Sequence, residues 1–209
     1  MIATQSTCFI GKGFARVGRL LFLLSALAVA GCGDGGPAFR ATDISGTTEW
    51  GRDFALPDTT GQLRQLADFR GKAVVLFFGY TQCPDVCPTT LSAMAEVVKL
   101  LGSEGAKLQV VFVTLDPERD TPPLIAEYMA QFHPGFLGLR GDKAATEAVA
   151  REFKVFYTKQ AAGAAGGYTL DHTAGSYVFD PQGRLRLYLR HGAASADIAA
   201  DIKLLLAGR

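Results

Sequence analysis

The stretch Ala73-Val-Val-Leu-Phe-Phe-Gly-Tyr-Thr-Gln-Cys-Pro-Asp-Val-Cys-Pro-Thr-Thr-Leu91 runs from a continuous apolar segment, through two cysteines, into a segment of helical spacing. Val74 to Phe78 has no polar alternation, as in strands buried on both faces of a parallel sheet. From Thr89 to Leu101 the apolar residues recur at helical intervals. Cys83 and Cys87 therefore sit at a strand-to-helix turn. Free amides and the positive end of a helix dipole favour a thiolate there. Such a pair either exchanges disulfides or holds a soft metal ion, and this stretch alone leaves both open.

Outward from it the chain alternates. Lys107 to Leu115 reads as a second strand, Pro122 to Phe132 as a helix opened by two prolines, Phe136 to Leu139 as a brief strand and Lys143 to Glu152 as a helix. Val155 to Thr158 reads as extended. Ser176 to Phe179 and Arg184 to Leu189 flank the turn Asp180-Pro-Gln-Gly183, and Ala196 to Leu206 closes as an amphipathic helix. The order predicts one α/β domain, a mixed sheet flanked by helices on both faces. Loops at the carboxyl ends of its parallel strands gather at one edge, where ligands bind. The cysteine turn and the loop after Leu115 both fall there.

The ends of the chain bound where that domain works. Lys12, Arg16 and Arg19 precede the apolar stretch Leu20 to Ala30, and no acidic residue appears before Asp34. A stretch of eleven residues, ten of them apolar, falls short of the roughly 20 that span a bilayer, but it suits a signal peptide. The stretch ends in Val29-Ala30-Gly31-Cys32, which resembles the lipobox of bacterial lipoproteins. Residues 1–31 then read as a signal, with Cys32 acylated as the mature N-terminus, 32–48 as a flexible tether and 49–209 as the domain. The expected location is a lipid tether to a membrane, with the domain exported and facing the periplasm.

Loss of the signal leaves 18 basic against 20 acidic residues, a net charge of −2, which offers no footprint for nucleic acid. Of four cysteines Cys8 leaves with the signal and Cys32 carries lipid, so Cys83 and Cys87 are the only thiols of the domain. A disulfide between residues four apart closes a small loop and gains little chain entropy, which argues against a purely structural bridge.

Three histidines compete for a functional role. His133 ends a helix, where a partial positive charge suits the dipole. His191 reads as a solvated loop residue. His172 stands in the loop leading into the Ser176 to Phe179 strand, and in a thioredoxin-like sheet that loop faces the cysteine turn. Two thiolates and one imidazole form a soft three-coordinate set. Structural zinc wants four ligands, whereas Cu(I) accepts three. Asp171 and Asp116 are candidates for orienting the ligands from behind, although turn chemistry accounts for Asp171 equally well.

Together, Phe78-Gly-Tyr-Thr-Gln-Cys-Pro-Asp-Val-Cys-Pro-Thr-Thr-Leu91, Leu115-Asp-Pro-Glu-Arg-Asp-Thr-Pro122, Phe132-His-Pro-Gly-Phe136 and Asp171-His-Thr-Ala-Gly-Ser-Tyr-Val-Phe-Asp-Pro-Gln-Gly183 resemble the Sco/SenC family. The match runs in order from about Phe54 to the C-terminus. It implies a thioredoxin-like fold binding one copper ion per chain through residues matching Cys83, Cys87 and His172, with Asp116 as the supporting acid. The implied role is a metallochaperone that delivers copper to, or prepares the thiols of, the dinuclear copper site of cytochrome c oxidase subunit II. Other implied partners are a second periplasmic copper chaperone and a thioredoxin-like reductant. Gln82 replaces a His or aromatic residue frequent in relatives, so no ligand is expected from that position.

The alternative is a membrane-anchored thiol-disulfide reductase or redox sensor, with Cys83 and Cys87 as its redox-active pair, because the same fold hosts both. Thioredoxin-type sites use a Cys-x-x-Cys spacing after Trp; here the spacing is one residue longer and that Trp is absent. The run Ala161-Ala-Gly-Ala-Ala-Gly-Gly167 is expected to let His172 swing away from the thiols.

Overall fold

The computed structural model describes residues 38–161 and 167–209. The expected signal, Cys32, the tether as far as Pro37 and the middle of the Gly/Ala run lie outside them. Among the described residues no helix is long and apolar enough to cross a membrane.

The organising strand is β4, Ala73–Gly79, buried along its whole length. It pairs in parallel with β5, Leu108–Thr114, which pairs in parallel with β6, Leu137–Leu139. On its other side lie β9, Ser176–Phe179, and β10, Leu185–Leu189, both antiparallel to their neighbours. With β1, Thr42–Asp43, at one edge the sheet order is β1-β10-β9-β4-β5-β6.

Side chains alternate across β4 and so feed two cores. Val75 and Phe77 point to one face, beneath α1 (Val86–Leu101), α2 (Pro122–Ala130) and α4 (Ser195–Leu206). Val74, Leu76 and Phe78 point to the other, beneath α3 (Lys143–Glu152) and the hairpin of β2 (Ala55–Pro57) and β3 (Leu63–Gln65). Right-handed crossovers that step in one direction place their helices on one face, so α1 and α2 share theirs. This is the mixed sheet with helices on both faces that the strand and helix pattern predicts.

Three departures from that pattern are informative. Helix α1 begins at Val86 rather than at Thr89, because Pro88 falls in its first turn, where no intrahelical N–H is required. Residues 38–48 are not tether. Thr42 and Asp43 pair with β10, and buried Asp201 of α4 accepts from the amides of Arg40 and Ala41 at 3.0 and 2.8 Å. A two-residue strand has no periodicity to betray it, and the Asp201 carboxylate that holds the residue before it lies 160 residues away. The compact unit accordingly begins at Ala38. Finally, the supposed loop before β9 is a strand. Tyr168–His172 forms β8, paired antiparallel with β7, Tyr157–Ala161, as a two-stranded sheet of its own.

Candidate metal centre

The cysteine half is built where β4 ends. Cys83 N–H donates to Tyr80 O at 3.2 Å, closing the turn that leads into α1. The N-cap residue Asp85 makes no side-chain cap. The amides of Asp85 and Cys87 lower the pKa of Cys83, whose negative charge meets the positive helix end. Cys87, one turn on, is fully buried. Its position explains Gly79, where a Cβ would stand 2.6 Å from Cys87 Sγ and 3.0 Å from the Phe112 ring. Both cysteines are free thiols.

The two sulfurs differ in proton affinity. A hydrogen bond from the Cys87 thiol pulls the Cys83 pKa well below the ordinary thiol value, helped by His172 and the two amides against the opposing effect of burial. Cys87, the donor in that bond and buried, is pushed the other way. One proton thus leaves readily and the other is held.

The histidine half arrives on β8. His172 is its last residue, paired with Tyr157 of β7, and its ring is flanked edge-on by Phe77 and Tyr80 at 6.5 and 6.1 Å. Its Nδ1 lies 2.9 Å from the carbonyl of Thr173. A carbonyl only accepts, so Nδ1 carries the proton, which leaves Nε2 with the lone pair whenever the ring is neutral. That lone pair stands 3.8 Å from Cys87 Sγ. Thr173 is itself fixed by reciprocal bonds with the backbone of Phe156, at 3.0 and 3.1 Å. The ligand atoms of Cys83, Cys87 and His172 all lie within 4.8 Å of one another, beside an open cleft of about 410 Å³ lined by Tyr80, Pro84, Leu170 and Asp171.

These residues fit a soft ion. Bonds of about 2.1–2.3 Å in a trigonal arrangement keep the donors about 3.6–4.0 Å apart, and the Cys87–His172 separation already matches. Among the described residues no fourth His, Cys or carboxylate joins the group, which disfavours a closed structural zinc site.

The acidic candidates are placed differently from expectation. Asp171 is exposed on the rim of the cleft and does not orient His172, a task that falls to the Thr173 carbonyl. Asp116 is buried, but its carboxylate meets the Tyr168 hydroxyl at 2.8 Å and Arg119, so it holds the strand that carries the histidine rather than a ligand. The carboxylate nearest in effect to the cysteine turn is Asp120. It accepts from the Thr81 amide and hydroxyl at 3.0 and 2.6 Å and from Thr114, while burial raises its pKa and these bonds oppose that rise. Asp120 was not singled out from sequence, although it closes the Asp116-Pro-Glu-Arg-Asp120 run; nor were Gly79, Arg119 and Thr173. His133 accepts from the Gly135 amide at 3.0 Å, and exposed His191 lies 3.2 Å from Thr90 Oγ1, so neither joins the group.

Fold and site together define a thioredoxin-like domain carrying two thiols and an imidazole at one sheet edge. The SCO1/SenC family model matches residues 42–207, and the chain belongs to that family. It is 39% identical over 142 residues to an SCO2-like protein of Rickettsia felis, covering 68% of each chain. With the mitochondrial SCO2 homolog of Bos taurus it shares 35% over 198 residues, 88% of this chain and 74% of that one. The copper-bound structure of ScoI from Bradyrhizobium japonicum superposes with a TM-score of 0.68 at 37% identity, covering 76% of this chain and 99% of that one.

Proposed function

We propose that this protein binds one copper ion through Cys83, Cys87 and His172 and hands it on during assembly of cytochrome c oxidase, at the dinuclear copper site of subunit II. The observation that carries the reading is the convergence of these three donors within 4.8 Å, with Nε2 free. Two thiolates and an imidazole suit Cu(I) by softness, and a site open to a cleft lets a partner's ligand approach. That a similar protein, ScoI, is known with copper bound supports the choice of ion. The protein's own chemistry is to bind, orient and release. The sheet holds the sulfurs, Thr173 sets the imidazole tautomer, and Cys87 must give up its proton before both sulfurs can ligate.

The N-terminal sequence supports export and acylation at Cys32, and the role in oxidase assembly supports a domain that faces the periplasm from the inner membrane. Incorporation of labelled palmitate that disappears in Cys32→Ser tests the anchor. A second periplasmic chaperone as copper donor and a thioredoxin-like reductant for the thiols complete the proposed partners.

The function is tested by titrating the reduced protein with copper. One equivalent binds, and the Cu(II) form shows sulfur-to-copper charge-transfer absorption that vanishes in Cys83→Ala. A second reading, thiol-disulfide reductase, is favoured by the depressed pKa of half-exposed Cys83. In that case Cys83 attacks a substrate disulfide and Cys87 resolves the mixed disulfide, two electrons and two protons passing to the substrate. Vigorous disulfide reduction with copper binding indifferent to His172→Ala would favour it.

A further inference from the structure

We propose that Arg119 is a positioning residue, a clamp between the cysteine turn and the β7–β8 hairpin that sets the distance of His172 from the thiols. The inference rests on the copper-site reading above. The need for a clamp follows from topology: β4 and α1 hold the cysteines inside the main sheet, whereas His172 rides on a separate two-stranded sheet. A lone hairpin is marginally stable and depends on side chains for its placement.

Arg119 touches both halves at once. Its Nη1 donates to Gln82 Oε1, the neighbour of Cys83, at 3.1 Å and to the carbonyl of Tyr168 at 2.8 Å. Its Nε donates to Asp116, whose other oxygen accepts from the Tyr168 hydroxyl at 2.8 Å. The guanidinium also lies over the Tyr168 ring, 3.6 Å from its centre. Tyr168, the first residue of β8, is thereby held through backbone, hydroxyl and ring. His172 is the last residue of the same strand, about 13 Å along at an extended rise, and a paired strand transmits that placement. The remaining nitrogen, Nη2, is buried without a partner, so the geometry serves the bridge at the expense of full hydrogen bonding. Arginine accepts nothing, which fixes the Gln82 amide with oxygen toward it. Gln82, which no ligand role explained, thus has a function as the anchor on the cysteine side. Lysine offers a point charge for Asp116 but not a planar fork that reaches Gln82 and Tyr168 together.

The test uses the full reduced chain, with Cu(I) affinity measured by chelator competition, the Cu(II) charge-transfer spectrum, and thermal unfolding. Arg119→Ala and Arg119→Lys should each weaken Cu(I) binding about 10- to 100-fold, the range for groups that orient a metal ligand, and shift the charge-transfer band. Arg119→Lys should unfold like wild type. If the clamp acts through His172, adding Arg119→Ala to His172→Ala costs no further affinity. Wild-type affinity and spectrum in Arg119→Ala overturn the inference. So do losses that follow thermal stability and return in Arg119→Lys, or full additivity with His172→Ala. A wild-type chain that binds no copper defeats the functional reading itself, whereas copper binding indifferent to Arg119 defeats the clamp alone.

Discussion

The two halves of the candidate metal centre are made in opposite ways. Cys83 and Cys87 come from one stretch of chain, seated on a seven-residue buried strand and the first turn of a 16-residue helix. His172 comes from a hairpin outside the main sheet, 85 residues from Cys87, oriented by a backbone carbonyl and by contacts to side chains of the Asp116–Asp120 turn. The cysteine half is local and rigid; the histidine half is placed from a distance. In the proposed role, holding an ion and releasing it is served by that asymmetry, because the histidine rides on a sheet separate from the strand and helix that carry the thiols.

The largest effects should fall on the local half. Cys87→Ala is expected to abolish copper binding in equilibrium dialysis, whereas His172→Ala leaves two thiolates and weakens binding by more than about 100-fold, beyond the loss of an orienting group. Similar residual binding in the two variants would erase the distinction between the halves.

Protonation separates the two sulfurs within the local half. The folded pKa of Cys83 lies below the ordinary thiol value of 9.0, so its thiolate persists as pH falls through the neutral range, and the stability it contributes is complete above pH 9 and lost through the folded pKa. Cys87 has the opposite sign; its contribution is full below that value and lost as pH rises. Alkylation by iodoacetamide should be fast at Cys83 with an inflection well below 9, and slow at buried Cys87. The Cys83 inflection should climb furthest in Cys87→Ala, because that thiol is the main cause of the shift, and less in His172→Ala.

Packing gives a smaller effect. Gly79→Ala places a methyl 2.6 Å from Cys87 Sγ and should cost about 1–3 kcal/mol in urea unfolding, as overpacked cores do, with a displaced thiol and an altered copper spectrum. The smallest effect is expected at Asp171. Because Thr173 orients the imidazole, Asp171→Ala should change stability by less than about 0.5 kcal/mol and leave copper affinity within a few-fold.

This asymmetry also governs what could be read from sequence. The six apolar residues before Gly79 and the spacing of Cys83 and Cys87 are contiguous signals, so strand, turn and helix were legible, with Pro88 moving only the boundary. Helix α3 was legible to the residue, its start marked by Asp142, whose side chain accepts from the Ala145 amide. His172 was legible as a partner of the thiols, but not its means of support. The alternation of half-buried Tyr168, buried Leu170 and half-buried His172 against exposed Asp171 is a strand signal masked by its short length and by the glycines before it. Arg119 and Asp120 act through contacts 37, 39 and 49 residues away and Thr173 through its backbone carbonyl, and neither kind of contact leaves a periodic trace. The β1 strand escaped for the same reason, being set by pairing with distant β10 and by the hold of Asp201 on Arg40 and Ala41 before it.

The central claim is that copper is held by two sulfurs and one imidazole, each from its own half. X-ray absorption at the copper edge of the reduced, Cu(I)-loaded full chain tests it most directly. The expected fit is two sulfur ligands and one imidazole nitrogen in wild type, with the nitrogen lost in His172→Ala while both sulfurs stay. A sulfur-only shell in wild type, unchanged by His172→Ala, would contradict it.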